Sequence, residues 1–267
     1  MKTISLLGSG WLGLALAQYF QHKKFQVKAS TRSTHRMGEL RASGVHPYLI
    51  DIKDLSGSIK SFLDCDVLII NITSKNSASF TGLIRSIEAS EIRKLLFVSS
   101  SSVYLNTNQT VSESSGMEDS NNPLYKIEEQ FQSSTHFQTT VVRMAGLIGS
   151  DRHPGRFFNS DKPIQQPDAP VNLIHQTDCV NIISRIVEQG VWGEIFNASA
   201  DTHPTKRDFY TQAKVCLGQQ PPQFIESDSV VFKIIDNQKV KQVLNYEFVH
   251  ADLMSLVTQI EGAAFDA

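Results

Sequence analysis

Short apolar runs bounded by turn residues recur along the first half of the chain, at 3–7, 25–29, 45–50, 67–72, 95–98 and 140–144. Each is rich in Val, Ile, Leu or Phe, the pattern of a strand covered on both faces. Between them, the segments 34–43, 56–63, 80–90 and 126–133 carry apolar residues at helical spacing, and a further helix begins near Trp11. Strands that alternate with helices predict repeated βα units and hence a parallel sheet. No internal repeat or low-complexity segment interrupts the alternation.

The first strand runs directly into Gly8-Ser9-Gly10-Trp11-Leu12-Gly13. A GxGxxG set between a strand and a helix is a dinucleotide-binding signature with a mechanism. The first glycine permits the tight turn, the second lets the backbone approach a pyrophosphate, and the third lets the helix pack closely on the strand. The phosphates then lie at the positive end of the helix. The expected fold is therefore an α/β, Rossmann-type doubly wound parallel sheet, with a small C-terminal substrate lobe.

Met1-Lys2 followed by an apolar stretch and Ala15-Leu16-Ala17 imitates a secretory leader. The glycines interrupt its apolar core, and cleavage would remove the first strand, so that reading is set aside. Cys65, Cys179 and Cys216 are few, odd in number and far apart, which fits a reduced, cytoplasmic setting. With 267 residues, 40% of them hydrophobic and 19% charged, the chain can bury a full core. A formal net charge of -2 gives no global attraction for nucleic acid or for an anionic membrane. No apolar run approaches the roughly 20 residues of a membrane span. The expected partner is a small-molecule substrate, no metal cluster is expected, and the oligomeric state is not legible.

Two stretches break the rhythm. Residues 106–123 are polar, acidic and serine-rich, and 151–170 are rich in Pro, Asp and Gly. Both follow strands at the carboxyl end, where an open α/β sheet binds its ligands. Arg152, His153 and Arg156 make the second loop basic, a feature that suits a phosphate or carboxylate as well as it suits solvent. The expected organisation is a dinucleotide-binding core over 1–150, a smaller lobe from 151–170 and 202–267, and a return to the core over 171–201.

The chain resembles the extended short-chain dehydrogenases, the NAD-dependent epimerase/dehydratase family. The resemblance rests on the glycine turn, on Ile50-Asp51-Ile52, on Phe97-Val98-Ser99-Ser100-Ser101-Ser102-Val103-Tyr104, on Val142-Arg143-Met144-Ala145-Gly146-Leu147-Ile148-Gly149, and on Val171-Asn172-Leu173-Ile174-His175-Gln176-Thr177-Asp178 with Phe196-Asn197-Ala198. It implies that Asp51 and Ile52 touch an adenine and that Asn71 and Ile72 line the nicotinamide side. It also implies an oxidoreductase or epimerase acting on a small polar or sugar-like substrate. A non-catalytic NADP(H)-binding sensor or interaction protein is the alternative.

Charge bears on the choice of cofactor. Sites for NAD place an acid about 20 residues after the glycines, to hold the ribose 2′-hydroxyl, and sites for NADP have an arginine there. This chain has Ser30-Thr31-Arg32-Ser33, with no acid before Glu39. Thr31 and Arg32 are therefore candidate cofactor residues, and NADP is expected, with NAD possible.

The chemistry departs from the family. Active members pair a Ser or Thr with a Tyr, and a Lys four residues after the Tyr lowers the phenol pKa. Ser100 matches the hydroxyl position. Tyr125 is followed four residues later by Glu129, and Lys126 is preceded four residues earlier by Asn122, so YxxxK is absent in either register. Ser100, Tyr125 and Lys126 are the catalytic candidates. Three readings stand: Tyr125 and Lys126 act in altered geometry, Tyr104 or His153 substitutes, or no redox chemistry occurs. A tyrosine-dependent reaction lacking the lysine would be slow at neutral pH and gain rate toward about pH 9. His175 is expected to order the turn before a helix that Asp178 caps.

Overall fold

The computed structural model describes residues 2–55, 57–149, 151–158 and 163–260. The alternating pattern folds into a seven-stranded parallel sheet flanked by helices. Its strands are β1 (Thr3–Leu7), β2 (Gln26–Thr31), β3 (His46–Leu49), β4 (Val67–Ile70), β5 (Lys94–Ser100), β6 (Gln138–Met144) and β7 (Ile195–Ala198). They lie in the order β7-β6-β5-β4-β1-β2-β3. The direction of the strand order reverses at β1, whose two neighbours are β4 and β2, and it is β1 that carries the glycine turn.

All four residues of β4 are buried, as a two-sided strand requires. In α1 (Trp11–His22), Leu12, Gly13, Leu16, Ala17 and Phe20 form a buried stripe at helical spacing. α2 (Thr34–Ala42) buries only Leu40, and α3 (Ile59–Phe62) is a single turn. The start of α4 (Ser77–Glu88) is capped by Asn76, whose side chain accepts from the Ser79 amide at 3.0 Å. α5 (Pro123–Gln132) has Pro at its first position and Asn122 as cap, the sequence-legible way to begin a helix. Phe80 of α4, Phe97 of β5 and Phe131 of α5 meet with ring centroids 5.1 to 6.0 Å apart and fasten the two helices over the strand.

The chain divides into two compact units. The first comprises 1–103, 118–143 and 180–196; the second comprises 104–117, 144–179 and 197–267. The expected boundaries lie elsewhere: 104–117, 144–149, 171–179 and 197–201 group with the second unit. The reason is long-range pairing of very short strands, Gly146–Ile148 with Leu173–His175, Ile164–Gln165 with Phe224–Ile225, and Thr110–Val111 with Ile234–Ile235. Of residues 229–235, only Ile234–Ile235 are strand. Of the expected loop at 151–170, residues 159–162 lie outside the described residues.

The second unit also contains α6 (Gln176–Gln189) in its first turn, α7 (Lys206–Val215), α8 (Gln238–Leu244) and α9 (Leu253–Gln259). Phe209, Tyr210, Leu253, Leu256 and Val257 pack with Ile148, Ile164 and Leu173 in its core. Asp178 does not cap α6. Its carboxylate accepts from the Tyr246 hydroxyl at 2.5 Å and from the amides of Val249 and His250, pinning the segment after α8. His175 does order the turn, its Nδ1 accepting from the Thr177 amide at 3.2 Å. Among the described residues no helix is long and apolar enough to cross a membrane.

Candidate cofactor and active site

The glycine turn, the ends of β2, β4 and β5, and the start of α5 all belong to the first unit. Gly8 has φ +105°, and a β-carbon there would stand 2.2 Å from the Asn71 carbonyl oxygen. One at Gly13 would stand 2.0 Å from the Gly8 carbonyl oxygen. At Gly10 it would meet nothing within 4 Å. Two of the glycines are thus required by the protein's own backbone, and the middle one faces open space. Gly10 is also the cap of α1 and offers no side chain to its amides, while the Ser9 Oγ is buried with no hydrogen-bond partner among the described residues. Trp11 and Leu12 open the helix at this point. An uncapped helix start of this kind fits a pyrophosphate, and these residues would hold one.

The turn is braced from neighbouring strands. Ser30 accepts from the Gly8 amide through Oγ at 2.8 Å and from the Ser9 amide through its carbonyl at 3.0 Å. Asn71 donates from Nδ2 to the Gly8 carbonyl at 3.4 Å, and Ile72 lies against the same glycine. At the end of β2, the Thr31 Oγ1 accepts from the Ser33 amide at 3.1 Å, and Arg32 is exposed. Asp51 is half-buried and caps its own turn by accepting from the Lys53 amide at 3.0 Å, with Ile52 buried beside it. Sequence reasoning missed Arg36. Its Nη2 donates to the Ser9 carbonyl at 2.8 Å, and the available signal was a second arginine one helical turn beyond Arg32.

The catalytic candidates occupy the end of β5 and the first turn of α5. The half-buried Ser100 accepts through Oγ from the Ser102 amide at 3.1 Å. Asn122, in the tyrosine position of one register, is committed to structure: its Oδ1 accepts from the Leu124 amide and its Nδ2 donates to the Ser102 carbonyl, both near 2.9 Å. The packed face of α5 is Leu124, Ile127, Glu128 and Phe131. Tyr125 flanks that face half-buried, and Lys126 and Glu129 are exposed.

Beneath Tyr125 lies a buried ionic cluster that the sequence did not announce. Arg143 is 1% exposed; its Nη2 donates to Glu128 at 2.7 Å and its Nη1 to Glu118 at 2.5 Å, and Glu128 also accepts from the Ser99 hydroxyl. The guanidinium carbon is 5.8 Å from the centre of the Tyr125 ring. Partial burial, then the carboxylates of Glu129 and Glu118, push the Tyr125 phenol up from its ordinary value, against the pull of Arg143. The Tyr125 phenol is therefore held more firmly in its protonated form. The window in which it could act as a base moves above the expected one near pH 9. Ultraviolet titration of wild type against Tyr125→Phe should show this phenol ionising above about 10. Glu129→Lys should bring the transition down, and an unchanged midpoint would contradict the electrostatic account.

Tyr104 and His153, the alternative proton carriers, lie in the second unit. Tyr104 is buried and donates to Asn197 Oδ1 at 2.9 Å. His153 is fully buried; its Nδ1 accepts from the Gly155 amide at 3.0 Å, and burial followed by Arg156 lowers its pKa. Arg152 and Arg156 beside it are exposed. Among the described residues no group of His, Cys, Asp and Glu is arranged to hold a metal ion.

The chain and its fold are similar to those of known proteins. The chain is 31% identical to protein YeeZ of Escherichia coli (strain K12), over 94% of this chain and 97% of that one. Its fold is similar to that of a functionally unknown conserved protein from Silicibacter pomeroyi, with TM-score 0.82, 19% identity and coverage of 97% and 98%. It is also similar to UDP-glucuronic acid 4-epimerase from Bacillus cereus in complex with NAD, with TM-score 0.75, 16% identity and coverage of 97% and 95%. The sequence pattern of the NAD(P)H-binding family matches residues 8–174, the span that holds the glycine turn, the serine run and the start of α5, and the chain belongs to that family.

Proposed function

We propose that this protein binds NADP(H) at the glycine turn and acts as an oxidoreductase or epimerase on a small polar or sugar-like substrate. The observation that carries the reading is the open, uncapped helix start at Gly10, braced by Ser30 and Asn71. The Bacillus cereus relative in fold, a sugar-nucleotide epimerase complexed with NAD, supports the substrate class. When bound, the nicotinamide supplies or accepts a hydride. The chain's own part is to orient the reacting oxygen with the Ser100 hydroxyl and to deliver a proton from Tyr125, with Lys126 at the rim. Screening carbonyl compounds and sugar nucleotides for turnover tests this, with Ser100→Ala and Tyr125→Phe expected to slow any reaction found by about 10²-fold or more. Turnover untouched by both substitutions would put the chemistry elsewhere.

A second reading has specific support in the exposure of Lys126 and the raised Tyr125 phenol: a cytoplasmic NADP(H)-binding module without turnover. Binding without any substrate-dependent change in the cofactor favours it.

The preference for NADPH rests on the missing acid after β2 and on Arg32. Arg32→Ala should weaken NADPH binding by about 10- to 150-fold, the worth of one charge-assisted contact, and leave NADH nearly unchanged. Equal wild-type titration curves for the two cofactors would refute the preference.

A further inference from the structure

We propose that Arg36 is a positioning residue for the pyrophosphate cradle: from the first turn of α2 its guanidinium holds the Ser9 carbonyl, and so turns the Gly10 amide toward the ligand. This rests on the dinucleotide-binding reading and adds a role that the glycine motif does not contain. The Ser9–Gly10 peptide is trans and planar, so its carbonyl and its N–H point to opposite sides. Fixing the carbonyl toward α2 at 2.8 Å therefore directs the Gly10 N–H away from α2. That N–H has no hydrogen-bond partner among the described residues, whereas the two amides before it are both taken by Ser30.

Among the described residues four bonds hold the loop before Gly10, the longest being that of Asn71 Nδ2 to the Gly8 carbonyl at 3.4 Å. Ser30 supplies two of them from β2, and its strand fixes them rigidly. Arg36 supplies the one bond on the Ser9 carbonyl through a half-buried side chain, with Glu39 one turn further on, 3.6 Å away. Without Arg36 the Ser9–Gly10 peptide plane can turn about Ser9 ψ and Gly10 φ, the second of which belongs to the most permissive residue type. Ordering it would then fall to the ligand and weaken every ligand that carries the pyrophosphate. Arg32, exposed at the end of β2, has no such hold on the turn and can act only on what the ligand itself brings.

The experiment is calorimetric titration of the full chain with NADPH, NADH and ADP, for wild type, Arg36→Ala, Arg36→Gln and Arg32→Ala, with thermal unfolding as the folding control. Arg36→Ala is expected to weaken all three ligands by a similar factor, roughly 10-fold. Arg36→Gln keeps a donor for the Ser9 carbonyl without the charge and should recover a good part of that loss. Arg32→Ala should affect NADPH alone. A loss confined to NADPH in Arg36→Ala would make Arg36 a ligand of the 2′-phosphate and overturn the positioning role, as would unchanged affinities. A Gln variant as weak as the Ala variant would also overturn it, by showing that charge and not the hydrogen bond matters. A wild-type chain that binds none of the three would overturn the dinucleotide reading itself, and that result is visible before any variant is compared.

Discussion

A Gly10→Val variant is expected to fold and to lose binding of NADPH and NADH by about 100-fold or more, while Gly13→Ala is expected to damage the fold itself. The two glycines have opposite surroundings. A side chain at Gly10 enters space in which no protein atom lies within 4 Å of its β-carbon, and the backbone there is extended, with φ -67° and ψ -160°. The cost to folding is limited to a poorer helix cap, about 1 kcal/mol. The same side chain fills the approach that a pyrophosphate needs. At Gly13 even one methyl would stand 2.0 Å from the Gly8 carbonyl oxygen, a backbone atom that cannot swing aside. Separating α1 from β1 to make room should cost about 3 kcal/mol or more. Fluorescence titration with the reduced cofactors and thermal unfolding of both variants check the pair. Wild-type affinity in a folded Gly10→Val chain would remove the glycine turn from the binding site.

Glu128→Ala is expected to destabilise the protein by about 3 kcal/mol, the largest single effect anticipated outside the turn. Arg143 is 1% exposed and Glu128 fully buried, so the substitution leaves a guanidinium inside the protein with one of its two carboxylates gone. Glu118 keeps the loss toward the low end of the range for breaking a buried pair. Ser99 loses its acceptor in the same step. Glu128→Leu combined with Arg143→Met should recover much of the stability, because apolar residues of similar volume need no such compensation. Denaturant unfolding of the single and double variants measures this, and a single variant within 0.5 kcal/mol or so of wild type would mean that Glu128 contributes little to folding.

What could be read from the chain was local. β1, the glycine turn and α1 follow one another without a break, so strand hydrophobicity, glycine spacing and helical periodicity all act over the range that a sequence displays directly. Six of the seven strands of the sheet were legible for the same reason, while β7, four residues long, carried no apolar run that marked it as a strand.

The bracing of the turn was not legible. Ser30 and Arg36 are 22 and 27 residues from the atoms that they hold, and the contacts exist only because β2 lies beside β1. The catalytic register on α5 needed tertiary structure too. Asn122, Tyr125 and Lys126 were spaced like candidates, but which of them turns toward the sheet depends on the face that α5 buries. That face includes Glu128, a carboxylate that hides the apolar stripe from any hydrophobicity reading. Its burial makes sense only once Arg143, arriving on β6, neutralises it. The second unit lies furthest from what a sequence can reveal. Its paired strands are two or three residues long, too short to carry a periodicity, and their register comes from long-range packing around the Phe209 and Leu253 core.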